Sequence, residues 1–346
     1  LRALVFHGNL QYAEIPKSEP KVIEKAYIPV IETLIKEEPF GLNITGYTLK
    51  FLPKDIILVK GGIASDLIEI IGTSYTAILP LLPLSRVEAQ VQRDRVKEEL
   101  FEVSPKGFWL PELADPIIPA ILKDNGYEYL FADEAMLFSA HLNSAIKPIK
   151  PLPHLIKAQR EKRFRYISYL LLRELRKAIK LVFEGKVTLK VKDIEAVPVW
   201  VAVNTAVMLI GRLPLMNPKK VASWIEDKNI LLYGTDIEFI GYRDIAGRMS
   251  VEGLLEVIDE LNSELCPSEL KHSGRELYLR TSSWADKSLR IWREDEGNAR
   301  LNMLYNMRGE LAFLAENSDA RGWPLPERRL DAFRAIYNDW RGNGEP

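Results

Sequence analysis

Seven apolar runs, each ending on or beside a polar residue and most followed by a helically spaced stretch, recur through this sequence. Ala3-Leu4-Val5-Phe6 ends on His7, with Gly8 and Asn9 starting a turn. Residues 40–45 form the second run and 67–74 the third. The fourth, Gly107-Phe108-Trp109-Leu110-Pro111-Glu112, delivers two aromatic residues and then a carboxylate. Residues 127–133, 196–203 and 229–236 complete the set. Runs that are apolar throughout suit strands buried on both faces, hence a parallel sheet covered by helices. Regular alternation of strand and helix predicts a barrel.

The intervening stretches carry helix signals. Residues 21–37 place Val22, Ile23, Ala26, Val30 and Leu34 at helical spacing, and Pro29 predicts a kink or a late start. Residues 54–64 predict a short helix stopping near Gly61-Gly62. Ser85 is expected to cap a charged helix over 86–101. Further helices are expected over 117–123, before Asn125-Gly126, and over 250–261. An interruption of about 139–193, proline-rich and then basic and helical, is too long for an ordinary crossover. Its basic helix fits an amphipathic helix with a solvated face better than a polynucleotide-binding segment. Beyond Asp236 the pattern turns helical, apart from a strand-like run at 276–280. The expected organisation is a barrel over 1–265 with that insertion, and a mainly helical region over 266–346 packed against it.

Composition narrows the function classes. A formal net charge of -1 implies no general pull toward nucleic acid or anionic lipid. The single Cys266 excludes an internal disulfide and a cysteine zinc cluster. No run approaches the length of a membrane span and none resembles a signal sequence before His7, so a soluble, cytoplasmic protein is expected. The dense Lys, Arg and Glu with sparse Cys, Met and Gln matches heat-adapted proteins.

The strand ends carry the candidate chemistry. His7, Asn43, Ser74, Glu112, Asp133, Asn204 and Asp236 all fall at or beside C-terminal strand ends, where barrel active sites lie. Glu112 and Asp236, far apart in sequence, suit the two carboxylates of glycoside hydrolysis: one attacks the anomeric carbon, the other protonates the leaving oxygen. Either acid alone reads equally well as a helix cap. A sugar also wants stacking surfaces, which Tyr75, Trp109, Trp200, Trp284 and Trp292 would offer, although each fits ordinary packing as readily. Metal chemistry is not expected, because His7, His141, His154 and His272 are scattered with no pair at helical spacing. No nucleophile elbow and no phosphate-binding glycine loop is present, so no cofactor is expected.

The order His7-Gly8-Asn9, Gly72-Thr73-Ser74-Tyr75-Thr76, Gly107-Phe108-Trp109-Leu110-Pro111-Glu112 and Tyr233-Gly234-Thr235-Asp236-Ile237-Glu238-Phe239 resembles glycoside hydrolase family 57 along essentially the whole chain. The similarity is greatest to its short α-galactosidase-like members. It implies an α/β fold, an incomplete (β/α)7 barrel with a helical C-terminal region, and a retaining mechanism. By this resemblance Glu112 is the nucleophile, Asp236 the general acid/base and His7 a sugar contact; Trp292 matches an aromatic of the last family motif. Asn9 stands where many members carry a second histidine, Thr76-Ala77 where related stretches read Thr-His-Ala, and the junction of Ala114 and Asp115 lacks an extra aromatic. Substrate contacts are expected from His7, Asn9, Tyr75, Trp109, Asp133, Trp200, Glu238 and Trp292. The expected partner is a small-molecule or oligosaccharide substrate, with no nucleic acid and no membrane. The leading expectation is an α-galactosidase working by double displacement. The alternatives are an α-glucan hydrolase or 4-α-glucanotransferase of the same family, and a non-catalytic carbohydrate-binding protein on a degenerate barrel.

Overall fold

Seven strands form one parallel array: β1 (Ala3–Gly8), β2 (Phe40–Ile44), β3 (Ile68–Ile70), β4 (Gly107–Trp109), β5 (Tyr129–Phe131), β6 (Glu195–Ala196) and β7 (Leu232–Asp236). The computed structural model describes residues 2–10, 23–35, 38–52, 56–76, 84–110, 113–114, 118–131, 137–138, 195–196, 218–227, 232–237, 250–270, 278–279, 282–283, 313, 316–317 and 338. β1 pairs with both β2 and β7, and β3 lies beyond β2. Gly72, just past β3, bridges to Phe108 through Gly72 N–H to Gly107 O and Trp109 N–H to Gly72 O, both 2.8 Å. β5 and β6 continue beyond β4. The order is therefore β7-β1-β2-β3-β4-β5-β6. Among the described residues β6 and β7 do not pair, so the (β/α)7 barrel is incomplete.

Alternation along the strands sorts residues to two faces. The outer face presents Leu4, Phe6, Phe40, Leu42, Ile44, Ile68, Ile70 and Tyr233 to one core with the surrounding helices. Those include α1 (Ile28–Leu34), α2 (Gly46–Leu49), α3 (Ile56–Ala64), α4 (Leu84–Asp94), α5 (Val96–Phe101), α6 (Ile118–Asp124), α7 (Pro218–Asp227) and α8 (Val251–Leu261). Val30, Ile31 and Leu34 bury one side of α1, while Leu254, Val257, Ile258 and Leu261 bury one side of α8. Phe6 meets Phe40 edge to face at 5.6 Å, a pairing favoured by the ring quadrupoles.

The inner face falls into levels set by register. Val5, Gly41 and Glu69 share a lower level, as do Gly107 and Tyr129; His7, Asn43 and Asp236 share the level above, at the C-terminal ends. The turn Pro267–Glu269 closes the lower end, anchored by Leu265 N–H to Arg2 O at 3.2 Å. A Cβ on Gly41 would sit 2.6 Å from the Pro267 ring, so glycine makes room for this plug. Tyr129 crosses above Gly107 to donate to Glu69, whose other oxygen accepts from Ser268 N–H at 2.8 Å.

Several helix expectations need correction. The segment containing Pro29 does start late: a π-turn over Ile23–Tyr27 precedes α1, because proline has no N–H for the interior ladder. α3 runs through Gly61-Gly62 to Ala64, since Gly62 admits the Ile68 side chain. Ser85 lies inside the first turn of α4 and does not precede it. The helix expected over 86–101 is two helices, divided at Arg95 by tighter i to i+3 bonds. Ser250 caps α8 by accepting from Gly253 N–H at 3.1 Å, and Asn262 ends it at φ 48°. Two residues of the strand-like run, Tyr278–Leu279, pair antiparallel with Leu137–Phe138. The insertion of about 139–193 and nearly all of 295–340 lie outside the described residues. Among the described residues, no helix is long and apolar enough to cross a membrane.

Candidate active site

The upper level of the barrel brings the first and seventh strands side by side. Register sets His7 between Asn43 on β2 and Asp236 on β7. The imidazole stacks on the indole of Trp109 with centroids 5.6 Å apart. Trp109 ends β4, three residues before Glu112. His7 thus touches the strand that leads to one candidate carboxylate and neighbours, along the sheet, the residue that carries the other. The Asp236 side chain and all of Glu112, Asp133, Trp200, Glu238 and Trp292 lie outside the described residues.

His7 is held by a defined acceptor. Its Nδ1 lies 2.5 Å from Asn43 Oδ1, and Asn43 Nδ2 donates to the carbonyls of Ile71 and Gly72 at 3.1 and 3.0 Å. Two carbonyl partners fix which end of the amide is nitrogen. Burial, more than any other cause, lowers the His7 pKa to about 4; the Asn43 hydrogen bond opposes this and the charge on Lys97 adds to it. The ring is therefore neutral near pH 7.

Just beyond the ends of β2 and β3 lies a charged pair that sequence reasoning missed. Asp94 Oδ1 accepts from Gly46 N–H at 2.8 Å, and Oδ2 accepts from Thr73 N–H at 3.0 Å and Lys97 Nζ at 2.6 Å. Both side chains are fully buried. Burial pushes Asp94 up and Lys97 down, while their mutual attraction and the two backbone donors favour the ionised forms. One carboxylate thereby ties together the chain just beyond β2 and β3. In the sequence, Asp94 and Lys97 look like any i, i+3 pair on a charged helix, and only the backbone just past the two strand ends reveals their role.

Other expected site residues are placed as follows. Asn9 is buried and accepts from Thr45 Oγ1 at 3.4 Å; Thr45 also caps α2. Tyr75 is 1% exposed. Tyr47 and Phe313 meet its ring edge-on, and the Lys50 and Arg93 cations lie over it. In this packing its ring supports the loop after β3 and offers no open sugar platform. Thr76 Oγ1 donates to Phe313 O at 2.7 Å, and Gln90 and Arg86 bind the buried Glu316 at 3.0 and 2.5 Å, so Phe313 and Glu316 dock beside that loop. Among the described residues no three His, Cys, Asp or Glu side chains gather where they could hold a metal ion.

A seven-stranded parallel fold of this kind has counterparts. The 4-alpha-glucanotransferase of Thermococcus litoralis is similar over 100% of this chain and 60% of its own, at 14% identity and a TM-score of 0.56. A branching enzyme of Thermococcus kodakaraensis, solved with glucose, is similar over 97% of this chain and 89% of its own, at 15% identity and a TM-score of 0.54. An alpha-amylase of Thermotoga maritima follows, over 98% and 93%, at 13% identity and a TM-score of 0.51. At these identities the likeness speaks for the fold. No curated protein is a significant match to the sequence. The glycosyl hydrolase family 57 model matches residues 3–278, most of the chain. That match covers more than half of the sequence, and the chain belongs to glycosyl hydrolase family 57.

Proposed function

We propose that this protein is a retaining enzyme acting on α-linked glucans, as a hydrolase or a glucanotransferase. Membership of the family supports a glycoside hydrolase or transferase. The α-glucan reading is supported by the kinds of enzyme that share the fold: a 4-alpha-glucanotransferase, a branching enzyme and an alpha-amylase. The α-galactosidase expectation has only the motif resemblance behind it and is set aside in favour of this reading.

The observation that carries the proposal is the place of His7, stacked on the tryptophan that leads to Glu112 and in register with Asp236. In this reading Glu112 attacks the anomeric carbon, and Asp236 protonates the departing glycosidic oxygen. Asp236 then deprotonates the incoming water or sugar hydroxyl as the glycosyl ester is cleaved. Whether water or a sugar accepts the glycosyl group separates hydrolysis from transfer.

The test is product analysis with maltooligosaccharides and, in parallel, aryl α-galactosides, for the native protein and Glu112→Gln. Turnover of the first class, lost in the variant, is the expected outcome. Turnover of α-galactosides alone would restore the α-galactosidase reading. Sugar binding without turnover of either would indicate a carbohydrate-binding protein.

A further inference from the structure

We propose that Asn43 is a positioning residue that fixes His7 in the Nδ1–H tautomer, leaving Nε2 as a hydrogen-bond acceptor for a sugar hydroxyl. The geometry allows little else. Asn43 Nδ2 is committed to two backbone carbonyls, Ile71 O at 3.1 Å and Gly72 O at 3.0 Å. A flipped amide would set its oxygen against both carbonyls, so Oδ1 faces the imidazole. An amide oxygen within 2.5 Å of Nδ1 requires a hydrogen on that nitrogen.

Burial first, and then the charge of a neighbour, keep the ring from taking a second proton. Lys97, whose Nζ donates to the same Ile71 carbonyl that Asn43 uses, contributes a nearby positive charge from α5. Trp109 covers one ring face from β4. Among the described residues, Asp94, paired with Lys97, and Asp236, beside His7 in register, are the carboxylates of this neighbourhood. A neutral ring with Nδ1–H accepts at Nε2 and cannot donate there. The site then recognises a sugar hydroxyl by taking its hydrogen bond. Asn43 acts through His7 and reads the substrate only indirectly.

The chemical identity of what meets Nε2 rests on the glycosidase reading, whereas the tautomer does not. The test is nitrogen-15 NMR of the imidazoles in the full chain without ligand. The sequence has four histidines, and the His7 signals are identified by their loss in His7→Gln. The expected spectrum shows neutral His7 protonated at Nδ1 and still neutral at pH 5.5. In Asn43→Ala the tautomer preference should relax, with kcat/KM on the productive α-glycoside falling roughly tenfold to hundredfold.

An Nε2–H tautomer in the native protein, or an unchanged His7 spectrum in Asn43→Ala, would overturn the proposal. Should that variant fail to fold, the native spectrum decides alone. An Nδ1–H spectrum without turnover of any α-glycoside leaves the tautomer assignment standing and removes the glycosidase reading. Turnover with the opposite tautomer does the reverse.

Discussion

The imidazole of His7 lies nearly parallel to the indole of Trp109, the planes 13° apart and the centroids separated by 5.6 Å. One ring comes from the first strand and the other from the fourth, so their contact joins opposite parts of the site. Trp109 is 7% exposed, which makes it a packing element as well as a platform. Trp109→Ala is expected to destabilise the protein by about 3–5 kcal/mol, as for other large buried aromatics. Trp109→Phe should keep most of the stability while loosening His7. Thermal melts set against kcat on a common substrate separate the two effects, and unchanged activity in the phenylalanine variant would show that stacking does not orient His7.

Asp94 and Lys97 hold each other out of water at 2.6 Å. Removing one partner leaves the other buried and unpaired, a loss of about 3–5 kcal/mol in comparable cases. Asp94→Ala should cost more than Lys97→Met, because it also strands the N–H groups of Gly46 and Thr73. Urea unfolding of both single variants and the double variant measures the coupling, and additive losses would mean that the pair acts as two independent residues.

Burial of His7 makes stability depend on pH with a definite sign. Between the ordinary value of 6.5 and the folded value of about 4, the unfolded chain binds a proton that the folded chain does not. Stability contributed by neutral His7 is therefore complete above pH 6.5 and declines as pH falls to about 4. Below that it changes no further on this account. The loss is on the order of 3 kcal/mol, from the size of the shift. His7→Gln should flatten this part of the profile. Unfolding free energies measured every half unit of pH would expose the error if native and variant profiles ran parallel.

Glu69 works in the opposite sense. Burial raises its pKa, more than the hydrogen bonds from Tyr129 and Ser268 lower it. The folded chain thus holds a proton that the unfolded chain has released, so stability from this group declines as pH rises from the ordinary glutamate value through the folded one. Glu69→Gln mimics the neutral form and can still accept from Tyr129 or Ser268. Its melting temperature relative to the native protein should climb between pH 4.5 and pH 8, and a gap that does not widen would mean that Glu69 is ionised without penalty.

Much of the architecture was readable from short-range periodicity. The apolar run at 3–6 is a strand, the run at 40–45 holds one over Phe40–Ile44 and the run at 107–112 one over Gly107–Trp109, and Ser250 caps its helix as its chemistry suggests. The third run was read too long: regular pairing in β3 ends at Ile70, and Gly72 then turns to join β4. The break at Arg95 escaped notice because the local pattern of charges and apolar residues continues smoothly through it. It follows from distant demands, since Asp94 must meet the backbone of Gly46 and Thr73.

Residue order alone established the strands, most of the helices and the polar residues waiting at strand ends, because backbone preference and side-chain spacing act over a few neighbours. It could nominate Tyr75 as a sugar platform and set Asn43 at a strand end without a role, since nothing local distinguishes a covered ring from an open one or a strand-end amide from a tautomer lock. Those roles depend on which strands lie side by side and what covers each face. Register brought His7 to Asn43, and packing laid Trp109 against its ring and buried Lys97 nearby. Burial and hydrogen-bond direction are collective properties of the folded chain, and they turned a histidine at a strand end into a neutral acceptor.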